Sequence, residues 1–262
     1  MKRLLGLIFF AFLLALLAAC QQVDPDSHYG RMRQAGKMVV GTSADYPPFE
    51  SLDSAGNFTG FDIALIREIG HRLKLDVEIQ DRPFDSLIDA VAAGEIDLAI
   101  SAFNYSEERD ATVDFTDPYY SARDAILIVE GSPLMFNGPT DLAAYRVGVQ
   151  RGTTQDGWIA ENLVSSGSMS PDNVAGFERL DDAVSALQAG EVDAVLMESI
   201  VALSLIDELG GLRIGYEGAV SSGPINIVVP EGDAELTEVL NETIAKLEEE
   251  GFIDRLIIDY MQ

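Results

Sequence analysis

One pattern occurs in both halves of this chain: Ala90-Val-Ala-Ala-Gly-Glu-Ile-Asp97-Leu-Ala-Ile100 recurs as Ala186-Leu-Gln-Ala-Gly-Glu-Val-Asp193-Ala-Val-Leu196. Each copy reads as a helix that stops at a glycine suited to a left-handed C-cap, Gly94 or Gly190. A short turn and an apolar strand follow. A helix that feeds a buried strand in this way is the junction of an α/β unit, so two copies predict two similarly built α/β lobes. Chance similarity between two common helix-to-strand junctions is the competing explanation.

The strand in the first copy, residues 98–100, is short and apolar with no alternation, the pattern of a parallel strand covered on both faces. It runs into Ser101-Ala102-Phe-Asn104-Tyr-Ser106-Glu-Glu-Arg109. Ligands of α/β sheets settle beyond the carboxyl ends of the strands, where this loop lies. Ser101, Asn104 and Ser106 offer hydroxyl and amide groups there, and Arg109 offers a planar fork of donors that matches a carboxylate. Taken alone, an arginine in a charged loop equally pairs with Glu107 or Asp110 on a wet surface. The strand in the second copy delivers Met197-Glu198-Ser199 at its own carboxyl end. That lobe opens with a strand over 146–150 and the loop Arg151-Gly152-Thr153-Thr154, and a helix starts near residues 156–158. Free N–H groups at such a helix start make an anion site.

The other elements follow in order. A strand over 37–40 leads into the stretch 41–50, where Pro47 and Pro48 forbid both helix and central strand and dictate a rigid loop. Residues 54–57 read as a turn, and Asp62 suits the first turn of a helix ending near Leu73. A strand over 75–80 and a helix over 84–93 complete the first pass. A strand over 125–129 carries the chain to the second lobe, and another over 225–229 brings it back to helices at 234–249 and 252–261. Two crossings make the first lobe discontinuous, residues 37–121 with 222–262, around a second lobe at 122–221.

Residues 1–20 read as a targeting segment: Lys2 and Arg3, an apolar run, then Leu17-Ala-Ala-Cys20. The run is too short for a comfortable membrane span. Ordinary secretory cleavage near Ala19 and an uncleaved anchor are the alternatives. Residues 21–36 read as a polar tether. Loss of Lys2 and Arg3 leaves 15 basic against 44 acidic side chains, a formal charge of −29 that repels nucleic acid and anionic membranes. His28 and His71, the only histidines, read as surface residues, and no metal or cofactor signature is present.

These motifs, in this order, resemble the bacterial extracellular solute-binding proteins of family 3, which deliver polar amino acids to ABC transporters. Gly60-Phe-Asp-Ile-Ala64-Leu-Ile-Arg-Glu-Ile-Gly70 is similar to the family signature, with Ala64 where an acidic residue is usual. The loop ending at Arg109, followed by Val-Asp-Phe-Thr-Asp-Pro-Tyr119, is the more specific match, and Gln150-Arg-Gly-Thr-Thr154 agrees with it. Leu-Ala-Ala-Cys20 looks like a bacterial lipoprotein signal, which implies a lipidated Cys20 and an extracytoplasmic, membrane-anchored chain. The resemblance implies a type II periplasmic-binding-protein fold, α/β with two hinged lobes and a ligand cleft between them. It implies an amino acid whose α-carboxylate meets Arg109, with N–H groups near Asn104 and Thr154 assisting beside Thr153. Asn104 stands where Ser or Thr is usual. Ser101 and Ala102 are implied to turn backbone groups to the ligand, and Glu198, in place of the family's Asp, to hold the α-ammonium. Side-chain recognition falls to Ser43, Tyr46, Phe84 and Gln150; as core aromatics Tyr46 and Phe84 have an equally ordinary explanation. Members taking cationic amino acids place an acid at the position of Ser43, so its absence tilts the expectation towards an uncharged polar amino acid.

The implied partners are a small amino acid, the transporter's permease subunits and, through Cys20, a membrane; a monomer is expected, without nucleic acid, metal or cofactor. Two alternatives remain open at this point. Similar two-lobed proteins include a cyclohexadienyl dehydratase, and Glu198 is the one candidate general acid or base for such an enzyme. A sensor that presents bound ligand to a receptor would use the same closed lobes.

Overall fold

The computed structural model describes residues 24–261. The targeting segment and Cys20 lie outside the described residues. In chain order the strands are β1 (Lys37–Thr42), β2 (Asp45–Tyr46), β3 (Glu50–Leu52), β4 (Phe58–Thr59), β5 (Asp76–Asp81), β6 (Leu98–Asn104), β7 (Val113–Phe115), β8 (Tyr120–Ser121), β9 (Asp124–Val129), β10 (Val147–Gln150), β11 (Val174–Phe177), β12 (Ala194–Glu198), β13 (Leu212–Gly218) and β14 (Pro224–Pro230).

Two sheets repeat one plan. The first runs β5-β1-β6-β14-β7, with β8 also paired to β14; the second runs β11-β10-β12-β9-β13. In the first, β1 is parallel to β5 and β6, and β14 returns antiparallel beside β6. In the second, β10 is parallel to β11 and β12, and β9 lies antiparallel beside β12. Each sheet therefore takes its antiparallel strand from a segment that adjoins a crossing.

The repeated motif has a physical purpose in both copies. Gly94 and Gly190 take φ +69° and +74°, and just beyond them the Glu95 and Glu191 N–H groups each donate to an alanine carbonyl, Ala90 or Ala186, at 2.9 Å. Two residues on, the Asp97 carboxylate accepts the Val39 N–H at 2.6 Å, and the Asp193 carboxylate accepts the Arg146 N–H at 2.9 Å. Each aspartate thus clasps the backbone at or just before the neighbouring parallel strand and sets its register.

The helix Phe61–Leu73 buries Phe61, Leu65, Ile66 and Ile69 against the first sheet, each worth roughly 1.5–3 kcal/mol relative to exposure. It begins at Gly60, whose φ of +126° and position 2.2 Å from the Phe49 carbonyl oxygen, measured from where a Cβ would sit, leave room only for glycine. The stretch after β1 folds into the small sheet β2-β3-β4, whose strands of two or three residues are too short for a periodicity argument. The helix Ser199–Leu209 and strands β11 and β13 are further elements for which sequence patterning gave no expectation.

The tether expected over 21–36 needs correction. Residues His28–Ala35 form a helix capped by Ser27, and Tyr29 and Met32 are buried in the core of the first lobe. His28 is no surface residue: Nε2 lies 2.8 Å from Asp97 Oδ1 and Nδ1 lies 2.9 Å from Asp233 Oδ2. Those two hydrogen bonds outweigh burial and raise its pKa to about 9, so the imidazolium pins this helix to the lobe.

The two crossings are fastened together by Asp124. Its Oδ2 accepts the N–H groups of Val220, Ser221 and Ser222, and its Oδ1 accepts the Ser222 hydroxyl and the Gln155 amide.

Candidate functional site

The carboxyl ends of β1, β6, β10 and β12 converge on one cavity between the two sheets. The first lobe contributes Ser43, Tyr46, Phe84, Ser101, Ala102, Asn104 and Arg109 to its lining; the second contributes Gln150, Thr153, Thr154, Gln155 and Glu198. The residues singled out from the sequence are thus brought together, except that Cys20 lies outside the described residues and Ser106 is spent as a helix cap rather than lining the cavity. Gln155 was not anticipated, because nothing distinguishes a glutamine in a short helix from a solvated one.

Arg109 sits in the one-turn helix Glu107–Asp110, capped by the Ser106 hydroxyl. It is 8% exposed and makes no ion pair with Glu107 or Asp110, so the wet-surface explanation fails. Its guanidinium donates to the Asn104 carbonyl and, at 2.8 Å, to the Gly152 carbonyl of the other lobe. The carbon of the guanidinium lies 5.5 Å from the Phe84 ring centre and 5.3 Å from that of Phe103, and those two rings are themselves stacked at 4.6 Å. Phe84 is therefore both cavity wall and support for the arginine. Burial lowers the guanidinium to about 10, still charged at neutral pH.

Asn104 accepts the Thr154 hydroxyl through Oδ1 at 3.1 Å, which leaves its buried Nδ2 without a partner among the described residues. Thr153 caps the helix Thr154–Ile159 by accepting the Asp156 N–H. An orphaned N–H donor beside a guanidinium is a place for an anion.

Glu198 ends β12 at 3% exposure. Burial pushes its carboxyl up to about 7 against the pull of its own backbone N–H, and the Ser222 oxygen, whose hydrogen goes to Asp124, lies 3.2 Å from Oε1. The Glu198 N–H donates to the Tyr46 hydroxyl at 3.3 Å, a further contact between the lobes. Among the described residues neither Arg109 nor Glu198 has an ion-pair partner.

Behind the wall, Ser101 and Ala102 are more committed than expected. The Ser101 hydroxyl donates to Glu50 at 2.6 Å and accepts the Ser43 N–H, and the Ala102 N–H donates to Asp62 at 2.8 Å. Ala102 reaches φ +48° to do so. Only groups other than the Ala102 N–H and the Ser101 side-chain hydrogen remain for the cavity. Asp62 also accepts the Tyr119 hydroxyl at 2.8 Å. Burial raises Glu50 well above its ordinary value, with the Asp62 charge adding to it, and raises Asp62 to about 6. Among the described residues Glu50 Oε2 and Asp62 Oδ1 both lack a hydrogen-bond donor; one shared proton supplies it.

Among the described residues no group of three or more His, Cys, Asp or Glu is placed to hold a metal ion, and no helix is long and apolar enough to cross a membrane.

The chain is similar to several binding proteins. The arginine-binding extracellular protein ArtP of Bacillus subtilis (strain 168) is 31% identical over 259 residues, covering 98% of this chain and 96% of that protein. A mutant ArgBP from T. maritima superimposes with a TM-score of 0.83 at 33% identity, covering 89% of this chain and 98% of the other. The ancestral amino acid-binding protein AncCDT-1, a precursor of cyclohexadienyl dehydratase, gives 0.81 at 28% identity, covering 90% and 100%. The model of the bacterial extracellular solute-binding proteins, family 3, matches residues 38–262, and the chain belongs to that family.

Proposed function

We propose that this protein is the substrate-binding component of an amino-acid ABC transporter and that it takes an L-amino acid between its lobes. The observation that carries the reading is the meeting, on a single cavity, of a buried guanidinium from one lobe and a buried carboxyl from the other, neither with an ion-pair partner among the described residues. Arg109 and the Asn104 Nδ2 receive the α-carboxylate; Glu198 receives the α-ammonium. The ligand meets Arg109 and Asn104 on one lobe and gains Glu198 only when the lobes are together, so it stabilises the closed form, the segments 37–121 with 222–262 moving against 122–221. Anchoring through a lipidated Cys20, an extracytoplasmic face and a monomeric state complete the proposal and rest on the sequence. A thermal-shift screen against the common amino acids tests it, since a ligand that binds only the native state raises the melting temperature by mass action. No shift with any of them would defeat the reading.

A second reading, an enzyme on the same scaffold, has one observation in its favour: a cavity carboxyl held near 7 suits a general acid. Turnover of a cyclohexadienyl precursor of an aromatic amino acid by the purified protein would establish it in place of the first.

A further inference from the structure

Asp45 stands one layer behind the cavity wall, its side chain 1% exposed. Every group within hydrogen-bond or ion-pair distance of its carboxylate is a donor, although the Asp181 charge also acts on it. Oδ1 accepts the Ser43 hydroxyl at 2.7 Å. Oδ2 accepts the Leu180 N–H at 2.5 Å and the Gln150 amide at 3.2 Å, and the Arg179 Nε lies 3.4 Å away. An acceptor-only role is that of the ionised acid. Burial raises its pKa, while Ser43, Arg179 and Leu180 draw it back.

These contacts dictate which way two cavity residues face. The hydroxyl of Ser43 has one hydrogen, and Asp45 takes it; the oxygen lone pairs are what remains for the cavity. Gln150 Nε2 lies within 3.3 Å of two oxygens, those of Asp45 and of the Glu178 carbonyl. Both are acceptors, so the amide cannot be reversed without setting oxygen against oxygen, and its NH2 hydrogens are committed there. Gln150 Oε1 is the group left over. The Tyr46 hydroxyl belongs to the Glu198 end of the cavity, where it accepts that residue's N–H.

We propose that Asp45 is a positioning residue that fixes Ser43 and Gln150 as hydrogen-bond acceptors, so that the cavity selects amino acids whose side chains end in N–H donors and rejects those ending in a carboxylate. The inference rests on the amino-acid-binding reading above and narrows it. Arg179 offsets the charge of Asp45, so donor geometry rather than net charge does the selecting, and amide, guanidinium, imidazole and ammonium groups all belong to the class. Ser43 and Asp45 come from the first lobe, whereas Gln150, Arg179 and Leu180 come from the second. Half of the selection is therefore assembled only on closure.

The test is calorimetry at pH 8 with L-glutamine, L-arginine, L-histidine, L-lysine, L-glutamate and L-leucine. Glutamine and glutamate have the same shape and differ in whether the tip donates. At least one of the four donors should bind, and glutamate should bind at least about 100-fold more weakly, because its carboxylate would face buried acceptors. In Asp45→Asn the new amide no longer holds both partners as acceptors, and the preference for the donor ligand over glutamate should fall about tenfold. Ser43→Ala, which leaves the Leu180 and Arg179 contacts of Asp45 intact, should lower the same ratio by weakening the donor ligand alone. A purely structural Asp45 would weaken all ligands together and leave the ratio unchanged in both variants, which overturns the proposal. So does glutamate or leucine binding the unmodified protein as tightly as every donor, although amino-acid binding itself then stands. If no amino acid binds, both readings fall.

Discussion

Arg109 of one lobe donates a hydrogen bond of 2.8 Å to the carbonyl oxygen of Gly152 in the other. The residue assigned to the ligand's carboxylate is thus also a strap across the cleft. Replacing it by alanine removes a charge-assisted pair worth roughly 1.5–3 kcal/mol, so amino-acid affinity should drop about 10- to 150-fold by calorimetry. Arg109→Lys keeps the charge without the planar fork and should fall between. Unaltered affinity in the alanine variant would remove Arg109 from the site.

Gly152 itself admits no side chain. Its φ is +74°, and a Cβ there would lie 3.0 Å from the Asp85 Cβ of the opposite lobe. Gly152→Ala should strain the backbone by about 1–2 kcal/mol and hold the lobes apart. Small-angle scattering of the variant with ligand should retain a larger radius of gyration than the parent protein with ligand.

If the ligand's ammonium meets Glu198 as proposed, binding should depend on pH. Its carboxyl in the empty cavity titrates at about 7, and an ammonium partner requires the ionised form. Affinity should therefore be full above pH 8 and fall below 7, to about one hundredth at pH 5. The stability of the empty protein runs the opposite way: a pKa raised from 4.5 stabilises the fold below that value and loses the contribution as pH rises through 7. Glu50 and Asp62, also buried and also raised, act in the same direction. Melting temperatures of the empty protein between pH 5 and 8 should fall, and Glu198→Gln should flatten both curves. An affinity independent of pH would count against an ammonium at this residue.

His28 titrates in the other range. Its pKa, raised by Asp233 and Asp97 from 6.5 to about 9, gives stability that is complete below 6.5 and lost as pH rises through 9. His28→Ala should cost about 1 kcal/mol at pH 7, given partial exposure, and nothing further at pH 10. Denaturant melts at the two pH values separate this from a merely surface histidine, which would show no difference.

The repeated motif and the loops that follow each copy were legible because they depend on local chemistry. A left-handed cap needs Gly94 or Gly190, a buried parallel strand needs an apolar run, and a carboxylate needs a guanidinium such as Arg109. Those requirements are met within a few residues, so the sequence by itself determined the two α/β units and the cavity residues at their strand ends. What tertiary structure alone decided is the direction in which polar groups face. Asp45 opens the two-residue strand β2 just before the prolines and Arg179 stands just before a helix, and no spacing along the chain connects them with Gln150. Likewise His28 reads as part of a polar leader until folding brings Asp97 and Asp233 to its two nitrogens. Hydrogen-bond polarity is set by whichever donors and acceptors folding places within about 3 Å, and in this protein those partners are far apart in sequence and, at the cleft, on different lobes.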